Sequence, residues 1–289
     1  PTRNGCIPGD AGGPAPCLPT GGSFAVASEE PSAAGPGGDV MIRAPVVAGA
    51  ALLALAALQA GCASTGLSAE DRQEAARINT QLGADYLRRG QLTQAEEKLQ
   101  RALSYAPNLA LAWSVKGVLH QRLGEPDKAE AAYRRALSLA PDDASTRNNL
   151  GVFLCERERR DEGVRLLREA AESPRYPTPE AAWTNAAVCV RDQAPAEAEG
   201  YLVKALEHNP SFPDALAQLA SVSVARGDAV RAKALLERYE AVAPATAETL
   251  LLRVRAERTL GNPEIAARYL LRLKAEFPES PEAVNTPRS

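Results

Sequence analysis

At 289 residues, the chain has room for one or two ordinary domains or a single elongated repeat array. Its formal net charge of −3 offers no basic stripe, so nucleic acid is not expected as a partner. Aromatic residues are scarce at 4%, Ala, Leu, Glu and Arg dominate residues 67–283, and no run of alternating β-branched residues interrupts them, which predicts an all-α protein.

In chain order, residues 1–40 come first. "GDAGGPAPCLPTGG" and "SAAGPGGDV" have no helical periodicity and too little apolar surface to form a core. Met41 is the only methionine in the chain, and it is expected to be the translational start, with 1–40 an upstream segment called too early; Cys6 and Cys17 therefore stay outside the fold. From Met41 the pattern is that of a bacterial export signal over 41–61. Arg43 supplies a positive start, 45–58 ("PVVAGAALLALAAL") an apolar run, and small residues lead to Ala60-Gly61-Cys62. The apolar run is short for a membrane span of about 20 residues. A Cys directly after small residues resembles the lipobox of bacterial lipoproteins, although Gln59 stands three places before it, where Leu, Val or Ile is usual. The resemblance implies lipidation of Cys62 and, with Ala63 rather than Asp following it, an address at the periplasmic face of the outer membrane. Residues 62–75 then form a tether.

Residues 76–280 carry a repeat. Pro107, Pro141, Pro210, Pro244 and Pro278 recur at spacings of 34, 69, 34 and 34, inside the related phrases "QRALSYAP", "RRALSLAP", "VKALEHNP", "ERYEAVAP" and "LRLKAEFP". Unit one has Leu82-Gly83, Tyr86, Gly90, Ala95, Leu99, Ala102 and Pro107; unit two has Trp113, Gly117, Gly124, Ala129, Tyr133, Ala136 and Pro141. This resembles the tetratricopeptide repeat, two antiparallel helices packed through small residues and ended by a proline that cannot donate to the next turn. Six units fit, at 76–109, 110–143, 144–178, 179–212, 213–246 and 247–280, with 281–289 a tail. Unit three carries a longer connection, "SPRYPTPEAAW", and unit four replaces its Gly turn with "RDQAP". Trp113 and Trp183 are expected in the core of their units.

Such an array winds into a superhelix whose concave face holds an extended peptide or a partner helix. The spacing predicts that the first helix of each unit turns Arg77, Thr80, Ala84, Leu87 and Arg88, then Leu111, Ser114, Val118, Gln121 and Arg122, then Ser145, Asn148, Val152 and Cys155 into that groove. Its mixture of apolar side chains, amides and arginines suits a protein partner. Cys155 and Cys189 fall on neighbouring first helices, close enough for a disulfide in an oxidising compartment; two separately buried thiols are the alternative.

With these features, "NNLGVFLCERER" (148–159), "YPTPEAAWTNAAVCV" (176–190), "LERYEAVAPATAETL" (236–250) and "LRLKAEFPESPEA" (271–283) resemble the PilW/PilF family of type IV pilus biogenesis and stability proteins. The resemblance implies an outer-membrane lipoprotein, a pilotin, that binds the secretin and promotes its localisation and multimerisation. It implies lipid on Cys62 and a Cys155–Cys189 pair. A monomer without cofactor or metal is expected. The competing expectation is another periplasmic repeat lipoprotein that serves outer-membrane protein assembly or cell-wall synthesis. An enzyme is not expected: His120 and His208 are the only histidines, neither belongs to a recognisable catalytic constellation, and no phosphate loop or metal-ligand cluster appears.

Overall fold

A computed structural model describes residues 67–286. Among the described residues are thirteen helices and no strand. They are α1 (Ala69–Arg88), α2 (Leu92–Tyr105), α3 (Ala110–Arg122), α4 (Pro126–Leu139), α5 (Ala144–Glu156), α6 (Arg160–Ala171), α7 (Pro179–Val190), α8 (Pro195–His208), α9 (Pro213–Ala225), α10 (Ala229–Glu240), α11 (Ala247–Thr259), α12 (Pro263–Glu276) and α13 (Pro281–Val284). The first twelve pair as six helical hairpins. Residues 1–40, the signal at 41–61 and Cys62 lie outside the described residues.

Local chemistry explains the boundaries. The Ser68 hydroxyl accepts from the Asp71 amide while the Asp71 carboxylate accepts from the Ser68 amide, so α1 starts at Ala69 and not at 76 as the repeat spacing predicts. The tether is shorter by that stretch of helix. Proline at the first turn opens α4, α8 and α12, where its missing N–H leaves no donor unsatisfied. Residues 281–289 are not wholly a tail either. The Ser280 hydroxyl caps α13, and Ala283 packs with Leu250, Val254 and Leu273 over the end of the last hairpin.

In every hairpin but the fourth, whose "RDQAP" turn stays outside it, the turn places one residue in the left-handed region. Gly90, Gly124, Gly227 and Gly261 supply it at φ between 69° and 78°, whereas repeat three uses Glu158 at φ 62°. In repeats one to three the helices of a hairpin cross where the first helix carries glycine. A Cβ on Gly117 would lie 2.5 Å from the Tyr133 ring, and one on Gly151 would lie 2.7 Å from Leu167 Cγ and 3.0 Å from the Gly163 carbonyl. Repeat three therefore crosses glycine on glycine.

Two continuous apolar cores follow the array. One joins repeats one to three through Leu87, Leu99, Leu119, Tyr133, Phe153 and Leu154. The other joins repeats three to five through Leu167, Trp183, Leu202, Leu216 and Leu236. Trp183 is in this core, stacked on Tyr201 with ring centroids 5.6 Å apart. Trp113 departs from its expected core position. It is half-buried and its indole N–H donates to the Pro107 carbonyl at 2.7 Å. Arg147 does the same to Pro141 at 2.6 Å, six residues back in both cases. This register position ties down the carbonyl left open by the repeat-ending proline.

Candidate functional site: the concave face

The first helices of successive repeats, α1, α3, α5, α7, α9 and α11, each approach the next backbone to backbone, whereas the second helices of neighbouring repeats leave a gap between their backbones that long side chains bridge, as in the Arg134–Glu162 and Arg231–Glu199 pairs. An array closed on one side and open on the other must curve, with the first helices inside. The concave wall is built from them. Polar seams between first helices hold its curvature: the Thr146 hydroxyl donates to Ser114 Oγ at 2.7 Å, and Asn185 Nδ2 donates to Asn148 Oδ1 at 3.0 Å. All four side chains are buried, so each bond satisfies groups that would otherwise be left without water.

Of the residues predicted to line the groove, Arg77 and Arg88 are exposed, and Leu111, Gln121, Arg122, Ser145 and Cys155 are half-buried. Thr80, Ala84, Leu87, Ser114, Val118, Asn148 and Val152 are buried instead. The tight packing between first helices covers them: Leu87 and Val118 belong to the first core, Val152 to the second, and the Thr80 hydroxyl is turned back onto the Ala76 carbonyl. These residues shape the wall from behind and do not present a surface.

Around the predicted Gln121 the structure adds Glu156, and beyond repeat three, where the helical register was not carried, it adds Arg191, Asp214 and Gln218. Gln121 sits between Tyr133, whose hydroxyl donates to Gln121 Oε1 at 3.0 Å, and Glu156, which accepts from Gln121 Nε2 at 2.7 Å. The protein around Glu156 desolvates its carboxyl and pushes it above the usual carboxylate range, against the opposing effect of Gln121. Asp214, at the start of α9, is raised in the same direction by desolvation alone. Between them Arg191 donates to Gln218 Oε1 at 2.7 Å and pairs with Asp192 at 3.2 Å. The accessible wall is thus more charged than the predicted residues suggest. A desolvated carboxylate favours a cation brought to it.

The Sγ atoms of Cys155 and Cys189 are bonded, with Cα atoms 5.4 Å apart, which links α5 to α7 across the boundary of repeats three and four. Gly163 makes room for this link. Ala95, Ala129, Ala198, Ala232 and Ala266 stand at the equivalent place in the other repeats, but here a Cβ would lie 2.5 Å from Cys155 Sγ. That single Ala-to-Gly exchange is a signal in the sequence that the cysteine spacing alone did not use.

The histidines stand apart from any catalytic grouping. His120 is buried with Nδ1 2.7 Å from Glu125 Oε2, tying the turn before α4, and His208 is exposed at the end of α8. Among the described residues, no group of three or more His, Cys, Asp or Glu is placed to hold a metal ion, and no helix is long and apolar enough to cross a membrane.

Family models of the tetratricopeptide repeat match residues 74–142, 109–196 and 190–255. The type IV pilus assembly protein PilF of Pseudomonas aeruginosa is 31% identical over 228 residues, covering 77% of this chain and 90% of that protein. A solved structure from a functional characterisation of Pseudomonas aeruginosa PilF superposes with a TM-score of 0.67 at 31% identity, over 74% of this chain and 96% of that one. The crystal structure of PilW, a widely conserved type IV pilus biogenesis factor, gives a TM-score of 0.66 at 36% identity, over 72% and 96%. Six helical hairpins in one curved array, aligned along nearly the whole of these proteins, make this chain a member of the tetratricopeptide-repeat family of type IV pilus biogenesis proteins that includes PilF and PilW.

Proposed function

We propose that the chain is a pilotin: a lipoprotein anchored through Cys62 to the periplasmic face of the outer membrane, whose concave face takes a segment of the pilus secretin and promotes its localisation and multimerisation. The observation that carries this reading is the extent of the match to PilF, which takes in 90% of that protein and hence the whole groove, not one repeat motif. The mechanism is confinement. Residues 63–68 separate Cys62 from α1, and an extended chain spans at most about 3.3–3.6 Å per residue, so the array would be held within roughly 25 Å of the bilayer. A secretin subunit bound there has a high effective concentration at the membrane it must enter, which favours ring closure at that surface. The fold supplies binding and no chemistry, and the protein acts as a monomer without a cofactor.

Co-isolation tests the reading. Full-length protein purified from membranes in mild detergent is expected to bring the secretin with it. Charge reversal at the accessible wall, Glu156→Lys with Asp214→Lys, should reduce recovery at least about tenfold while the helical content stays unchanged, because both residues lie outside the cores. Recovery of a barrel-assembly component or a cell-wall enzyme in place of the secretin would overturn it.

A further inference from the structure

We propose that repeat six, with α13 packed behind it, opens from the rest of the array as a separate unit on a charged joint at its boundary with repeat five. Every earlier boundary is bridged by one of the two long apolar cores. Repeat six has a core of its own, built from Leu250, Val254, Ala266, Leu270, Leu273 and Ala283. Between it and repeat five the buried apolar contacts are alanine-sized, Ala229, Ala232 and Ala256, edged by half-buried Val224 and Leu260, and Leu252 is the one side chain of repeat six within the preceding core.

Charge fills the rest of that boundary. Where α5 and α9 place Leu150 and Leu219, α11 places Arg253, which is 5% exposed. Its guanidinium donates to Glu257 Oε1 on its own helix at 3.2 Å, and to Glu237 Oε1 at 3.1 Å and the Lys233 carbonyl at 3.4 Å on α10. It also lies 5.0 Å from the centroid of the Tyr269 ring on α12. Glu257 is wholly buried, accepts from Asn262 Nδ2 at 2.8 Å and stands 3.7 Å from Lys233 Nζ. In a repeat array the work of detaching an end unit is the strength of its one interface. Desolvation offsets most of the attraction within a buried ion group, so this interface holds less firmly than an apolar one of equal size.

The connections agree. Repeats are joined by the short segments 106–109, 140–143 and 209–212, but by 172–178 between repeats three and four and 241–246 between five and six. The first long connection is spanned by the Cys155–Cys189 bond, whereas the second is spanned by the Arg253 group and the small apolar contacts beside it, with no covalent bridge. The α13 cap keeps the core of repeat six covered on its far side when the near side parts. Carried on this unit are Arg255 and Arg258, exposed on α11. The groove therefore has a movable end whichever segment it receives.

Hydrogen exchange on the full chain tests this. Amides of α11 and α12 are expected to exchange at least about tenfold faster than those of α1 and α2, which are also terminal but share a continuous core with repeats two and three. Replacing the buried charges by apolar groups, Arg253→Met with Glu257→Leu, should slow exchange in repeat six about tenfold and leave repeats one to four unchanged. Glu237→Gln removes only a half-exposed partner and should speed repeat six severalfold. Exchange of repeats five and six in step in the unaltered protein, or no response of repeat six to either change, would overturn the proposal.

Discussion

Removing the covalent link between α5 and α7 is expected to destabilise the protein by about 4 kcal/mol. In the chain-entropy account, a bond closing a loop of 34 residues restricts the unfolded ensemble by roughly that amount, between the values for shorter and longer loops. Here the native state gives further reason for a large effect. Connection 172–178 leaves the two hairpins joined by a long segment, and Gly163 has given up its methyl to seat the sulfur, so serine in place of cysteine leaves a gap at the crossing of α5 and α6. With a urea dependence of about 2–3 kcal/mol per molar, the Cys155→Ser/Cys189→Ser variant should unfold more than about 1 M earlier than the parent. Protection should be lost first in α5 to α8. An unchanged midpoint, with or without reductant, would contradict the assignment of a stabilising bond.

Cys62→Ser is expected to leave the fold intact and remove the protein from the membrane. The change lies seven residues before α1 and outside the described residues, while both cores are built from the repeats, so circular dichroism and unfolding should match the parent. Attachment is another matter. A buried methylene contributes about 0.8 kcal/mol, and one acyl chain gives only reversible binding, whereas two or more hold a protein on a bilayer. On the proposed lipidation of Cys62, losing its thiol therefore changes attachment from permanent to absent. The variant should leave the outer-membrane fraction by at least about a hundredfold. Normal outer-membrane fractionation would sink the anchor.

The repeat architecture was legible because its signals are local and recur. Proline at the end of the second helix, alanine or glycine at the crossing and glycine at the turn each answer to one backbone or steric requirement, and the first helices begin at Ala110, Ala144, Pro179, Pro213 and Ala247 accordingly. The early start of α1 was missed because the Ser68–Asp71 cap lies outside the repeating pattern. The groove was legible as a face but not residue by residue. Helical spacing places Thr80, Ser114, Asn148 and Val152 toward the concave side, yet how closely successive first helices approach decides whether such a side chain meets solvent or a neighbour. Trp113 shows the same limit. Its size suggests a core position, but its indole is needed at the Pro107 carbonyl. The Arg253 group was invisible for a related reason: an arginine and a glutamate four apart on a helix read as a solvated pair until the facing repeat is known to cover them.

Counting secretin multimers in the outer membrane tests the pilotin reading most directly. Cells that make the full-length protein, cells that lack it, and cells that make it as Cys62→Ser should be fractionated and their heat-resistant secretin rings compared at equal total secretin. The proposal predicts abundant rings in the outer membrane with the protein and at least about tenfold fewer without it. In the Cys62→Ser cells, secretin should remain as monomer or gather in the inner membrane. Equal numbers of outer-membrane rings in all three would contradict it, and would leave the groove to a different partner in pilus biogenesis.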